Sequence, residues 1–313
     1  MKRIVTYIVL FVVLLYAVRE IIYIGIRKNK AGLYDKYQTV FLKQNDYNVL
    51  FMGSSRAEMH FNAAIFDSIT GMNSFNFGVT GATPRIAFQV LKAYCENSKL
   101  PQFLIFDLDY HFLKFGVDTI RHFPRYFAFL KNEALLNGFN SIDSRFKSFK
   151  YNPLHSLPYS NIRLLAASIH GWLDIPAADD KSYYKGFTNV TQRDTISSDS
   201  LSPYYSWIHP TERAYIDSVI YFAKSKNIEL VLTSSPMFKN VKHAMLNRGQ
   251  MIHNLKFLAA NNKIPYFDFS LGLYSHRMGY FVDYYHMNGM GARVFTEEFS
   301  LFFQQYFNKN TVK

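Results

Sequence analysis

The sequence has little cysteine and few acidic residues, and both shortages limit what the protein can be. A single cysteine, Cys95, stands among 313 residues, which excludes an internal disulfide and a zinc cluster held by thiolates. Acidic side chains number 23 against 35 lysines and arginines, giving a formal net charge of +12. This excess suits phosphates, lipid head groups or acidic glycans, or it is a solubilising surface feature. No nucleic-acid-binding motif accompanies the charge, so we expect no nucleic acid partner.

Low-complexity tracts and internal repeats are also missing. Hydrophobic residues make up 49% of the chain, with 30 phenylalanines and 23 tyrosines. This composition is typical of a globular domain with a large aromatic core. Because one core rarely grows far beyond about 250–300 residues, we expect one large domain over residues 45–313 with an insertion inside it.

Residues 1–30 have the composition of a membrane anchor. The stretch 4–18 carries no charge, Arg19 and Glu20 interrupt it, and the apolar run resumes as far as Ile26. About 23 residues at about 1.5 Å each can cross a hydrocarbon core of about 30 Å. The sequence therefore predicts one transmembrane helix with Arg19 near an interface. The alternative is a shorter signal-peptide core that ends at Arg19.

The residues on either side of this segment favour an uncleaved anchor, but they do not indicate on which side of the membrane the domain lies. The residues before Arg19 are Tyr16, Ala17 and Val18, which do not form a small-residue cleavage site. Basic residues flank both sides of the segment: Lys2 and Arg3 before it, and Arg27, Lys28 and Lys30 after it. The count of positive charges is therefore nearly balanced.

Short apolar runs alternate with helical patterns through most of the remaining chain. The apolar runs are residues 48–52, 74–77, 101–109, 228–236 and 264–269, and the helical patterns are 85–97, 211–225, 241–261 and 292–305. Near-continuous apolar strands between helices are typical of a parallel sheet with both faces covered. We therefore predict a three-layer α/β/α fold with about five parallel strands, with ligands beyond the carboxyl ends of the strands.

Residues 112–209 do not follow this alternation. They are rich in Phe, Tyr, Ser and Asn and contain a polar stretch over residues 177–202. We interpret them as a partly helical insertion over the sheet edge or the active site. A loop of this length is commonly a lid or a disordered segment.

Three short blocks carry residue types with catalytic potential. Ser55 follows the first strand and begins a helix, where the helix dipole and backbone N–H groups favour negative charge. Asp283 and His286 lie on one loop near the end of the chain, as a general base and its orienting carboxylate would. The glycines of Asn76-x-Gly78-x-x-Gly81-x-Thr83 let a backbone N–H approach an oxyanion, or they serve only as turn residues. Taken singly, each block also fits an ordinary turn or surface loop.

Together, in this order and at these strand ends, the blocks resemble the SGNH (GDSL-type) hydrolase superfamily over roughly residues 48–110 and 228–305. The resemblance implies a flavodoxin-like sheet with Ser55 as the nucleophile and His286 as the general base, oriented by Asp283. It also implies that the N–H groups of Ser55 and Gly81 bind the oxyanion.

Two departures from the family pattern bear on function. Ser54 replaces the usual Asp of the first block, a change that resembles the membrane-linked branch involved in D-alanylation of teichoic acids and acetylation of exopolysaccharides. The third block lacks its oxyanion Asn, and His111 falls at that position. We expect His111 either to donate a hydrogen bond in its place or to be only a boundary residue of the insertion.

Other conspicuous residues have competing interpretations. Arg56 is a candidate for binding an anionic substrate, or else an exposed arginine at the start of a helix. His243 and His253 lack metal-ligand spacing on one predicted helix, so we expect neither a metal nor another cofactor. A further aromatic group could stack on sugar rings or pack in the core or lid. Its members are Tyr183, Tyr184, Tyr204, Tyr205 and Trp207.

The resemblance thus implies a serine-dependent O-acyltransferase or esterase on the outer face of a bacterial inner membrane, single-pass, with its catalytic domain on the periplasmic or extracellular side. Its substrate would be an acylated cell-envelope polysaccharide or an acyl donor, and a membrane-bound acyltransferase would be its partner. A non-catalytic SGNH-like module that binds glycan or scaffolds an envelope complex is the main alternative. An ordinary lipase or carboxylesterase is another.

Overall fold

Five parallel strands form the central sheet of the computed structural model, which describes residues 1–108, 110–114, 116, 119–175, 183–191 and 201–311. Numbered along the chain, the strands of this sheet are β1 (Val49–Met52), β2 (Ser74–Asn76), β3 (Phe103–Asp107), β6 (Glu229–Ser234) and β7 (Tyr266–Asp268), while β4 (Tyr183–Tyr184) and β5 (Phe187–Thr188) form a separate hairpin. The spatial order is β2-β1-β3-β6-β7, and every pair in it is parallel. The predicted α/β fold with five parallel strands is confirmed.

Helices occur at the predicted patterns over residues 85–97, 211–225 and 292–305, and at further segments of the chain. They are α1 (Lys2–Lys28), α2 (Gly32–Phe41), α3 (Ser55–His60), α4 (Ala63–Thr70), α5 (Pro84–Asn97), α6 (Tyr110–Leu113), α7 (Glu133–Asn140), α8 (Arg145–Tyr151), α9 (Pro153–Ser156), α10 (Ile162–Trp172), α11 (Pro210–Ser225), α12 (Asn240–Ala244), α13 (Arg248–Asn262) and α14 (Gly289–Thr311). Short 3-10 helices cover Phe123–Phe129, Leu157–Tyr159, Leu273–His276 and Met278–Tyr280.

Aromatic packing joins one face of the sheet to α3, α4 and α14. The rings of Phe51 and Phe61 stack with centroids 4.8 Å apart, and Phe61 meets Phe299 edge-on at 5.2 Å. Phe66 of α4 meets Phe303 of α14 at 5.3 Å. Because alternate strand residues point to opposite faces, the fully buried Leu50, Leu104 and Leu232 face the other side, where α11 packs on β6. Both faces of the sheet are therefore covered, as the continuous apolar runs predict.

The predicted helix over residues 241–261 is wrong as a single element, because it breaks into α12 and α13. At the break, the N–H of Leu246 donates to the carbonyl of Tyr204 (3.0 Å) instead of to a carbonyl within the helix. The side chain of Asn247 bonds the backbone of Ser206 in both directions, at 2.6 and 2.9 Å. His243 and His253 consequently lie on different helices.

The chain divides into two compact units. The first contains Met1–Gln44, Lys92–Asn97 and the described part of residues 118–180. The second contains Asn45–Leu91 and the described parts of residues 98–117 and 181–313. The insertion is thus shared: residues 119–175 pack with the N-terminal helices, whereas residues 183–191 and 201–209 pack with the sheet. Most of the polar stretch 177–202 lies outside the described residues.

The hairpin of the insertion lies at the β2 edge of the sheet. The N–H of Asn76 in β2 donates to the carbonyl of Lys185 at 2.8 Å. The Lys185 ammonium bonds Asp67 at 2.5 Å and the Asn73 side chain at 2.9 Å. For these residues, the predicted position over the sheet edge agrees with the structure.

Candidate active site

Ser55 occupies the junction between β1 and α3. The preceding Ser54 begins the helix, because its hydroxyl accepts the backbone N–H of Arg56 at 3.2 Å. Side-chain capping of this kind satisfies an N–H that has no partner inside the helix. Ser55 is the first residue of α3 and is only 5% exposed. Its hydroxyl is therefore fixed at the carboxyl end of a central strand, where ligands bind in this class of sheet.

Asp283 organises the loop that carries His286. One of its carboxylate oxygens accepts the backbone N–H of Tyr285 at 2.7 Å and that of His286 at 2.8 Å. The other oxygen accepts the Nδ1 proton of the His286 ring at 2.7 Å. A carboxylate that bonds its own loop two and three residues later forms an Asx turn. Asp283 thereby sets both the loop conformation and the orientation of the imidazole.

Ser55, His286 and Asp283 form one continuous hydrogen-bonded row. The distance from Ser55 Oγ to His286 Nε2 is 2.8 Å, although 231 residues separate the two in sequence. Because Nδ1 gives its proton to Asp283, Nε2 is left to accept the proton of the serine hydroxyl. This is the geometry of an activated nucleophile, its base and the group that orients the base.

The charge of Asp283 persists despite its partial burial. Burial alone would raise the pKa of this carboxyl, but the hydrogen bond and the attraction of the His286 ring lower it, as do the N–H groups of Tyr285 and His286. The net effect is a pKa below the ordinary value of the side chain. Asp283 is therefore an anion at neutral pH and can stabilise an imidazolium at His286.

A second row of hydrogen bonds, fully buried, connects the end of β3 to the loop that carries His286. Asp107 at the end of β3 accepts the Ser235 hydroxyl at 2.8 Å, and Ser235 Oγ lies 2.9 Å from His60 Nδ1. His60 Nε2 accepts the backbone N–H of Met287 at 3.0 Å. Since the serine proton goes to Asp107, His60 must donate from Nδ1 and accept at Nε2. Neutral His60 therefore fixes the residue that follows His286.

The block of glycines forms a tight turn beside α3. The N–H of Ala82 donates to the carbonyl of Val79 at 2.9 Å, and Gly81 at the third position has φ +81. A turn with positive φ at this position favours glycine. The buried carboxylate of Glu58 holds the turn, because one oxygen accepts both the N–H of Thr80 at 2.9 Å and its hydroxyl at 2.6 Å. The turn closes through Ala82, so its hydrogen bond does not use the N–H of Gly81.

Asn76 connects this turn to α3. Its Nδ2 donates to the carbonyls of Ala57 at 2.8 Å and Phe61 at 2.7 Å, and its Oδ1 accepts the N–H of Gly78 at 2.8 Å. The side chain is fully buried. Ser55 and the Gly81 turn are therefore held in a fixed relation by one amide.

Arg56 has a different role from either of its predicted ones. The residue is fully buried, and its guanidinium donates to the carbonyls of Ser235 and Pro236. The prediction of an exposed helix-start arginine is wrong, and no surface of the side chain is accessible to a substrate. The reason is that the chain after β6 covers the start of α3, so Arg56, the second residue of α3, points into the protein.

The other predicted site residues lie on the second unit. His111 is half-buried in α6, and its ring centroid lies 5.7 Å from that of Tyr285, next to His286. Its role as an oxyanion donor stays a prediction. In the aromatic group, Tyr184, Tyr205 and Trp207 are 56%, 62% and 54% exposed, so packing in the core does not explain these three. The Tyr183 side chain lies outside the described residues.

Sequence reasoning missed Glu58, His60, Asp107 and Ser235. A usable signal existed for two of them, because Asp107 ends β3 and Ser235 directly follows the neighbouring parallel strand β6, which places them at the same edge of the sheet. Glu58 and His60 follow Ser55 in α3 with no motif to mark them. Their importance depends on contacts with residues far away in the chain.

No protein-family model and no curated protein sequence matches this chain. Among solved structures, it is similar to a proposed acylhydrolase of Bacteroides fragilis, with 16% identity over 87% of this chain and 93% of that one and a TM-score of 0.40. It is also similar to a GDSL-like lipase of Bacteroides thetaiotaomicron, with 16% identity over 89% of this chain and 98% of that one and a TM-score of 0.40. Likeness at this level carries no argument about activity, so the functional assignment rests on the geometry of the site.

Proposed function

We propose that this chain is a serine-dependent enzyme that transfers or hydrolyses O-acyl groups through an acyl-enzyme at Ser55. The observation that carries the proposal is the row from Ser55 Oγ to His286 Nε2 (2.8 Å) and from His286 Nδ1 to Asp283 (2.7 Å). A hydroxyl, an imidazole and an ionised carboxylate in this order are the parts of a general-base-activated nucleophile.

In the proposed reaction, Ser55 Oγ attacks an ester carbonyl while its proton passes to His286 Nε2. Asp283 stabilises the resulting imidazolium, and the N–H groups of Ser55 and Gly81 hold the oxyanion. Collapse of the tetrahedral intermediate breaks the ester bond, and the leaving alcohol takes the proton from His286. A sugar hydroxyl or water then gives its proton to His286 and attacks the acyl carbonyl. The bond between the acyl carbon and Ser55 Oγ breaks, Oγ takes the proton back from His286, and the new ester or the free acid leaves.

The substrate we propose is an acylated cell-envelope polysaccharide, with the domain tethered at the outer face of a bacterial inner membrane. Among the described residues, α1 is the one helix long and apolar enough to cross a membrane, and most of its first part is exposed. The exposed Tyr184, Tyr205 and Trp207 offer faces for stacking on sugar rings. A membrane-bound acyltransferase that supplies the acyl group is the proposed partner.

The proposal predicts that two substitutions abolish ester turnover. Ser55→Ala removes the nucleophile and His286→Ala removes the base, so each should lower kcat on an activated acetyl ester by about a thousandfold or more. The measurement is steady-state hydrolysis by the full chain in detergent. Ser68→Ala, at an exposed serine on α4, is the matched control and should retain the rate. Equal rates for Ser55→Ala and the unaltered chain would contradict the proposal.

Transfer and hydrolysis are separated by the fate of the acyl group. With a labelled acetyl ester as donor, the proportion of label on added envelope polysaccharide is compared with that released as acetate. Label on the polysaccharide that requires Ser55 identifies a transferase, whereas release of acetate alone identifies an esterase.

A further inference from the structure

Helix α10 exposes an apolar stripe along one face. Ile162, Ala166, Ile169 and Leu173 are all exposed, the three larger ones at 78%, 54% and 65%. Their spacing of four, three and four residues places them on the same side of a helix. Large side chains exposed in a row are unusual on a soluble monomer and mark a surface that contacts something.

The opposite face of α10 packs directly on α1. Its buried residues include Ser168 and Gly171, and the crossing point lies at Gly25 of α1. A Cβ on Gly171 would lie 1.8 Å from the carbonyl oxygen of Gly25, so only glycine permits this approach. The Asn29 side chain donates to the carbonyl of Ala167 at 2.9 Å. The stripe is therefore fixed relative to the last turns of α1.

Further hydrogen bonds cover the second part of α1 with the insertion. Arg19 donates to the carbonyl of Lys150 at 2.7 Å, and Trp172 Nε1 donates to the carbonyl of Ile21 at 2.9 Å. Arg19 is buried in this contact. Before Arg19, residues 1–18 are exposed except for the half-buried Leu15.

The exposed part of α1 is too short to cross a bilayer alone. The apolar residues 4–18 are about 15 residues, or about 22 Å of helix. The hydrocarbon core is about 30 Å thick. If α1 spans it, the membrane boundary must therefore lie alongside the part of α1 that the insertion covers, which is the level of α10.

The polar groups around this level suit a lipid interface. A cleft of about 180 Å³ is lined by Arg19, Arg27, Lys131 and Lys150 with a single carboxylate, Glu20. Lys28 lies 4.0 Å from the centre of the Trp172 ring. Basic and tryptophan side chains at the end of an apolar helix are typical of the head-group region.

We propose that the apolar face of α10 docks into the interface of the bilayer that α1 crosses, so that the insertion is a second membrane contact. The inference rests on the proposed anchoring by α1. The bilayer is the proposed occupant because the end of the span falls at the level of α10, where basic side chains and Trp172 are also found.

The test uses the full chain in phosphatidylcholine vesicles with phosphatidylglycerol, labelled with an environment-sensitive fluorophore at single cysteines. In a Cys95→Ser background, Ile169→Cys and Leu173→Cys place the label on the stripe, and Leu273→Cys places it at a control site that is 92% exposed. Phe11→Cys reports on the membrane span itself. Quenching is measured with lipids brominated near the head group or along the acyl chain, and with iodide in water.

The proposal predicts that brominated lipid quenches labels at positions 169 and 173 severalfold more than the label at 273. If only the label at position 11 is quenched by lipid, the anchor stands and the docking of α10 is overturned. If neither brominated lipid nor iodide quenches the labels at positions 169 and 173, and this protection increases with the number of protein molecules per vesicle, a second copy of the chain covers the stripe and the proposal fails. If position 11 is not quenched by lipid either, the proposed anchoring itself fails.

Discussion

The imidazole of His286 is held from both sides, and this determines what each nitrogen can do. Asp283 takes the Nδ1 proton, so Nε2 faces Ser55 as an acceptor. The carboxylate also bonds two backbone N–H groups of the same loop. One aspartate thus fixes position, tautomer and charge, which is why two residues three apart suffice to build the base.

His60 predicts a pH dependence of stability. Burial, then the charges of Arg56 and His286, lower its pKa well below the usual value of about 6.5. As pH falls below about 6.5, His60 binds a proton in the unfolded chain but stays neutral in the folded chain. The free energy of unfolding should therefore fall by up to about 1.4 kcal/mol per pH unit, until the pH reaches the folded-state pKa of His60.

The measurement is urea unfolding of the full chain between pH 8 and pH 5. His60→Gln should remove most of this slope, although it lowers the stability at pH 8. His253→Gln, at an exposed histidine, should leave the slope unchanged. A slope that persists undiminished in His60→Gln would show that another group is responsible.

Glu58 predicts a loss of rate without a loss of substrate binding. Glu58→Ala releases Thr80 and loosens the turn that carries Gly81. Loss of a whole oxyanion donor costs about 10²–10³ in rate, so loosening the proposed donor at Gly81 should lower kcat by about tenfold to a hundredfold with little change in KM. Glu58→Gln should restore most of kcat, because its amide oxygen can accept both Thr80 bonds. A fall in kcat that Gln does not rescue would argue against this positioning role.

The links between elements depend on a few buried polar side chains, and Asn76 provides the clearest test. Asn76→Ala removes the donor to the carbonyls of Ala57 in α3 and of Phe61 just after it, and the acceptor of the N–H of Gly78. Buried polar groups left unsatisfied cost about 1–3 kcal/mol each, so we expect a loss of about 2–4 kcal/mol in the free energy of unfolding, measured by urea titration. Asn254→Ala on the exposed surface of α13 is the control and should change it by less than about 0.5 kcal/mol. A similarly small change in Asn76→Ala would mean that α3 and the turn are held by other contacts.

The five strands were predictable because strands buried on both faces give continuous apolar runs, a signal contained within each segment. Ser55 and the Asp283–His286 pair were predictable for a similar reason, since each block is short and local. The burial of Arg56 was not, because it depends on the chain after β6. The break between α12 and α13 was not predictable either, since it results from a backbone bond to Tyr204.

At the level of the whole chain, the parallel sheet explains why a distant serine and histidine meet. β1 is second in the strand order, between β2 and β3, so the residues after it adjoin both the turn after β2 and the end of β3. α14 packs on α3 and α4, which brings the loop before it to the same end of the sheet. Residues 119–175 of the insertion do not belong to this catalytic arrangement, because they pack with α1 and α2 in the other compact unit.

Covalent labelling tests directly whether Ser55 is an activated nucleophile. The full chain in detergent is exposed to a fluorophosphonate beside Ser55→Ala and His286→Ala, and intact-mass and peptide mass spectrometry locate any adduct. We expect one adduct, on Ser55, absent from Ser55→Ala and formed far more slowly in His286→Ala. A folded, unaltered chain that acquires no adduct on Ser55 would contradict the proposed catalytic role of Ser55 and favour a module that binds glycan without catalysis.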